Sequence, residues 1–191
     1  MKITVLRSLI ATTLTLAPLS AIAATNPISA TASSSKGDFD ITLNLAPHII
    51  ITGLEDMTIN ASATDVTETD NICIGGFGFS SFNVSFGSLN GNADVNAPDT
   101  NNPFLLADSA TGETIPYSVG FANSASAGTA DETSTDGSLS TDFPRAAGAT
   151  AASCLSNAEN ATLFVGINAA DWQDVEGTAF TDTLTVMVEA I

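Results

Sequence analysis

From Phe39 onward, apolar residues recur at every second position rather than every third or fourth. Phe39, Ile41, Leu43 and Leu45 alternate with Asp40, Thr42, Asn44 and Ala46. Successive strand side chains point to opposite faces, so this pattern predicts a strand with one apolar and one wet face. Pro47 interrupts the run, because it has no N–H to give to a ladder. "HIIIT" (48–52) then predicts the next strand. Further strands are expected at "NICIGG" (71–76), "FGFSSFNVSF" (77–86), "TIPYSVGF" (114–121), "ATLFVGI" (161–167) and "DTLTVMV" (182–188). In 77–86 the apolar parity switches at Ser80-Ser81, which predicts a β-bulge. In 182–188, Leu184, Val186 and Val188 share one face.

No window sustains a helical period. The best helical candidate, "AADWQDVEG" (169–177), would make one or two turns. Residues 122–153 are rich in Ser, Ala, Gly, Thr and Asp, and read as loops around weak strands such as "GSLST". Many short strands separated by turn signals predict an all-β protein, an immunoglobulin-like sandwich of two antiparallel sheets.

The start of the chain follows different rules. Lys2 and Arg7 precede an apolar run ending in Ala21-Ile22-Ala23, which predicts a signal peptide over 1–23. That run is broken by Pro18 and is too short for a spanning helix. Residues 24–37, "ATNPISATASSSKG", read as a flexible leader. The alternating strand then occupies 38–46, and the β-domain 47–191. Export implies an oxidising compartment, so Cys73 and Cys154, the only cysteines, are expected to form a disulfide. It would close a loop of roughly 80 residues, worth ~4 kcal/mol in the chain-entropy account.

The chain is strongly acidic, with a formal charge of −17. Loss of the signal peptide would leave Lys36 and Arg145 against 21 carboxylates. That balance excludes nucleic acid as a partner, since phosphate recognition needs a basic face. Two stretches concentrate the acid, "DVTETDN" (65–71) and "DETSTDG" (131–137). Oxygen-rich loops suit calcium, but neither has the regular ligand spacing of an EF-hand. His48 is the only histidine, so no catalytic triad forms without it. No zinc set exists, and "GGFGF" lacks the lysine and the following helix of a phosphate loop. Trp172 and Tyr117 are candidate carbohydrate platforms, but a core role fits both better. No catalytic residue, metal or cofactor is expected. The alternating terminal strand is the strongest remaining clue. Burying Phe39, Ile41, Leu43 and Leu45 is worth ~1.5–3 kcal/mol each before entropy. That face needs a groove, in its own domain or in a neighbour's.

The chain resembles subunits of bacterial pili assembled by the chaperone–usher route, in the class with an N-terminal donor strand. Phe39 to Leu45, Pro47 and "HIIIT" reproduce the order of donor strand, proline and first domain strand. "AFTDTLTVMVEAI" looks like the last strand of such pilins, with Gly177, Phe180, Leu184, Val186 and Val188 in the expected roles. Between 54 and 160 the likeness is only in strand-rich character. The resemblance implies an immunoglobulin-like sandwich that lacks its final strand. The extension of one subunit would fill the groove of the next, as donor-strand complementation. It further implies a periplasmic chaperone, an outer-membrane usher, and a surface fimbrium serving adhesion or biofilm formation. Leu184, Val186 and Val188 would line the groove edge or meet the chaperone. The alternative expectation is a secreted, self-complemented β-sandwich that keeps 39–45 in its own domain and binds glycan or calcium with its loops.

Overall fold

The computed structural model describes residues 37, 39–61, 63–96 and 101–191. The expected signal peptide, and the leader apart from residue 37, lie outside these residues. The chain divides into two units, Met1–Asn44 and Leu45–Ile191.

In the first unit the described residues form no regular strand. Phe39, Ile41 and Leu43 are 72%, 82% and 76% exposed. A period-two sequence does not make a strand by itself, because an isolated extended segment has no ladder to enter.

The second unit is built almost entirely of antiparallel strands. They are β1 (His48–Thr52), β2 (Val66–Phe77), β3 (Ser81–Ser88), β4 (Leu105–Ala107) and β5 (Thr114–Pro116). Then follow β6 (Ser118–Ala122), β7 (Glu132–Ser134), β8 (Phe143–Pro144), β9 (Ala161–Ile167) and β10 (Leu184–Ala190). One sheet runs β1-β2-β9-β6-β7, a second β10-β3-β8, and β4 and β5 form a hairpin. The described residues are therefore nearly all β. The two larger sheets share one core. Phe82, Val84 and Phe86 of β3 meet Ile72, Val119, Phe121 and Leu163 of the five-stranded sheet. The Phe82 and Phe121 rings pack edge to face at 6.2 Å, and Phe143 of β8 meets Phe121 at 4.7 Å.

Several expectations shift. The parity switch at Ser80-Ser81 is a change of sheet rather than a bulge. β2 ends at Phe77 in one sheet, and β3 starts at Ser81 in the other. Gly78, at φ 79°, makes the turn between them. Arg145, just after β8, braces the corner by donating to the Gly76 carbonyl at 2.6 Å and lying over the Phe79 ring. β2 also begins earlier than its apolar residues suggest. Its polar half, from Val66, is held by register with β9, Val66 opposite Ile167 through Ile72 opposite Ala161. The predicted strand 114–121 divides into β5 and β6. "GSLST" contributes only a bridge, Ser138 to Ser85.

Among the described residues one short α-helix, α1 (Ala151–Leu155), starts at the end of the stretch 122–153 read as loops and runs past it. Thr150 caps it, its hydroxyl accepting from the Ser153 N–H at 3.1 Å. "AADWQDVEG" supplies only a 3₁₀ turn, Ala169–Asp171. The expected disulfide is present. Cys73 of β2 and Cys154 of α1 are bonded, with Cα atoms 5.2 Å apart and a separation of 81 residues. Thr52 adds a second tie by donating to the Cys154 carbonyl at 3.1 Å.

Candidate functional site, an apolar groove beside an edge strand

β1 is outermost in the five-stranded sheet and β10 outermost in the three-stranded one, and the two approach each other. The side of the core between them is thinly covered. After Gly53 the chain joins no sheet over 54–60, but it sends Met57 and Ile59 against the core. Between this segment and β10 lies a cavity of about 320 Å³. Leu163 and Val165 of β9 line it together with Met57, Ile59, Leu184 and Val186; Glu55, Asp56 and Asp70 also border it.

Burial shows what is missing there. Phe82, Val84 and Phe86 on β3 are at most 1% exposed. Leu184, Val186 and Val188, on the strand paired with β3, face the same core yet are only half-buried. β10 pairs with β3 alone, so the N–H and C=O groups on its other edge have no ladder partner among the described residues. Of the sequence-predicted set Leu184, Val186 and Val188, the first two form one wall of the groove, and Val188 continues the same half-buried face beyond it. The other predicted set, Phe39, Ile41 and Leu43, belongs to the first unit, and Leu45 of the second is 58% exposed.

Polar side chains fix the entry to β10. Asp182 Oδ2 accepts from the hydroxyls of Tyr117 and Ser88, each at 2.6 Å. Asp182 Oδ1 accepts from the Asn90 N–H at 3.0 Å. Burial first, then the bond to Asp182, pushes the Tyr117 hydroxyl far above the usual phenol range, so it stays a donor. Upstream, two carboxylates hold the chain that leads into β10. Glu113 accepts from the N–H groups of Glu176 and Gly177 at 3.0 and 2.6 Å. Asp108 accepts from those of Thr178 and Ala179, at 3.0 and 3.2 Å, and from Ala110 at 2.7 Å. These backbone donors, Ala110 foremost for Asp108 and Glu176 for Glu113, hold both carboxyls below the usual range.

Most carboxylates of the acidic stretches hold the chain in the same way. Asp65 accepts from Ala169 N–H, Asp70 from Glu55 N–H, and Asp131 from Asn123 N–H. Glu132 takes the Ser140 N–H and hydroxyl at 2.7 and 2.6 Å and the Thr141 N–H at 3.0 Å. Desolvation works to raise its pKa, but the Ser140 and Thr141 donors outweigh it and bring it down to about 2. Among the described residues no group of three or more His, Cys, Asp and Glu is arranged to hold a metal ion.

His48 is exposed at the start of β1 and stacks on Phe77 at 5.4 Å. Tyr117 is buried, and Trp172 packs on the core. Sequence reasoning missed the Asp182 hub and the Asp108–Glu113 clamp. Their partners lie far away in sequence, and carboxylates are too common in this chain for any one to stand out. The Thr150–Ser153 cap was the one local signal for α1. Among the described residues no helix is long and apolar enough to cross a membrane.

Comparison of the chain with known protein families, with curated proteins and with solved structures finds no match.

Proposed function

We propose that this protein is the structural subunit of an exported surface filament. In this reading the 38–46 segment of one copy lies along β10 of the next and completes an immunoglobulin-like sandwich. The observation that carries the proposal is the half-buried face of Leu184, Val186 and Val188 beside an apolar groove. The same chain carries an exposed alternating segment of matching character, Phe39, Ile41, Leu43 and Leu45. Such a contact is head-to-tail and does not close on itself, so it generates a fibre. Main-chain bonds to the free edge of β10 give affinity, and alternate side chains entering the groove give register. A periplasmic chaperone would shield the groove before assembly, and an outer-membrane usher would direct the exchange. The disulfide is compatible with export.

The test compares two double variants of the exported chain. Ile41→Asp with Leu43→Asp brings two carboxylates into an apolar groove, at several kcal/mol each. Thr42→Asp with Asn44→Asp alters the opposite face. The first should abolish the ladder of multimers seen by size-exclusion chromatography with light scattering, and the second should largely keep it. A wild-type protein that stays monomeric at all concentrations, and whose melting temperature ignores a synthetic 38–46 peptide, would overturn the proposal in favour of a self-complemented module.

A further inference from the structure

The sequence contains one Asn–Gly pair, Asn90-Gly91, in the loop after β3. Asparagine is a thermolabile residue. It is most so before glycine, whose N–H reaches the carboxamide unhindered. This loop nevertheless uses both residues. A Cβ on Gly91 would run into the Pro103 carbonyl oxygen and stand 2.8 Å from Ser88 Oγ. Asn90 Nδ2 donates to the Thr181 carbonyl at 2.7 Å, and Asn90 N–H donates to Asp182 Oδ1 at 3.0 Å. The Gly91 N–H, the nucleophile of deamidation once deprotonated, donates to Ser88 Oγ at 2.9 Å. Ser88 is itself anchored, donating to Asp182 Oδ2 at 2.6 Å. The two groups that would react with each other are each held by another partner, and both sets of partners converge on Thr181 and Asp182, the entry to β10.

We propose that Asn90 is a guarded deamidation site, whose reaction occurs only when the start of β10 releases the loop and then makes that release permanent. In the closed loop, attack requires Gly91 N–H to leave Ser88 and the carboxamide to leave Thr181. Once both are free, Gly91 N loses its proton to base and bonds to Asn90 Cγ. The Cγ–Nδ2 bond breaks, and the nitrogen leaves as ammonia. Water then opens the cyclic imide at either carbonyl, giving aspartate or isoaspartate at position 90. No oxidant or reductant is involved. The product places a carboxylate opposite the Thr181 carbonyl, where a donor had been, and beside Asp182. An acceptor facing an acceptor cannot restore the original bond. The isoaspartate form also lengthens the backbone by one methylene next to Gly91, where no room exists. The inference rests on the loop geometry alone and is independent of the filament reading.

The experiment incubates the whole oxidised chain at mildly alkaline pH and follows the Asn90 peptide by mass spectrometry with separation of aspartate and isoaspartate. The native protein should deamidate at least about tenfold more slowly than the same chain in denaturant, as expected when local opening must precede reaction. Ser88→Ala, which frees the Gly91 N–H, should recover part of that gap while the far-UV spectrum is retained. Asn90→Asp should speed amide exchange at Leu184–Val186 relative to wild type. Equal rates in native and denatured wild type, a native rate unmoved by Ser88→Ala, or unchanged exchange at the start of β10 in Asn90→Asp would each overturn the proposal.

Discussion

Reduction of the Cys73–Cys154 bond should lower stability by about 4.5 kcal/mol, nearly all of it through the unfolded chain. The bond links residues 81 apart, and opening it restores the closure entropy of that loop to the denatured ensemble. On the folded side little is lost, because other ties hold α1 and its flanks. Thr52 still donates to the Cys154 carbonyl, and Gly76 N–H still donates to the Ala149 carbonyl at 3.2 Å. Asn160 grips Ile74 in both directions, accepting from its N–H and donating to its carbonyl at 2.9 Å. A domain of this size holds about 5–15 kcal/mol, so the reduced protein should remain folded in water. Urea unfolding followed by far-UV circular dichroism would compare the oxidised chain, the reduced chain and Cys73→Ala with Cys154→Ala. The midpoint should fall in both unbridged forms. The m-value should rise, since an unlinked denatured chain exposes more surface. A loss below ~1 kcal/mol would show that the unfolded chain does not feel the link. Loss of the strand spectrum without denaturant would show that the bond holds the native packing itself. Either result refutes the reasoning.

Asp182→Ala leaves the Tyr117 hydroxyl, the Ser88 hydroxyl and the Asn90 N–H without their acceptor. It should cost about 3 kcal/mol in a thermal or urea melt, and a loss under ~1 kcal/mol would mean that water replaces the carboxylate freely. Stability should also fall in acid. Glu132, with a folded pKa of about 2 against an ordinary 4.5, binds its proton in the unfolded chain first. Its contribution is therefore full above about 4.5 and lost as pH falls toward 2; Asp108 and Glu113 are shifted in the same direction. Glu132→Gln should remove about 1 kcal/mol of that slope after allowance for solvent screening, and an unchanged pH profile would exclude this role. Gly76→Ala, at φ 150° and with its Cβ driven into the His48 carbonyl, should cost about 3 kcal/mol. Gly112→Ala, at φ 77° in open space, carries only backbone strain and should cost about 1 kcal/mol. Equal losses would refute the packing argument.

The strands legible in the sequence are those whose apolar period is imposed by the core. β9 coincides with "ATLFVGI", and β10 begins at the Leu184 of its alternating run. Both faces of β9 are covered, however, and alternation did not foretell that. Thr162 is buried by donating to the Ser124 carbonyl, a partner remote in sequence. The polar half of β2 carries no apolar signal, because Thr67, Glu68 and Thr69 are held by ladder bonds rather than by burial. At Phe77 to Ser81 the change of parity was visible, but parity cannot tell a bulge from a crossing between sheets. The positive φ at Gly78 decides it. Of the groove, only the wall supplied by Leu184 and Val186 was legible, in the alternation of the last strand. The hub and clamp that secure its edge strand were not, since they depend on contacts such as Asp108 to Thr178, 70 residues apart.

The order of strands in the two sheets has a kinetic consequence. β2 finds β1 nearby in sequence, but its other neighbour is β9, with Val66 opposite Ile167. β3 must wait for β10, with Phe82 opposite Ala190. Most sheet pairing therefore requires closing very long loops before any contact rewards the closure, the signature of domains that fold in milliseconds to seconds rather than microseconds. During that interval the first strands present bare edges to other chains at the same stage, and partly made sheets of this kind are the usual seeds of aggregation. The balance of 21 carboxylates against four cations, a net charge of −17, gives such intermediates a mutual repulsion that acts before any fold exists. The yield of refolding should accordingly be a colloidal matter, better in dilute salt than in concentrated salt, where the repulsion is screened within a few ångströms.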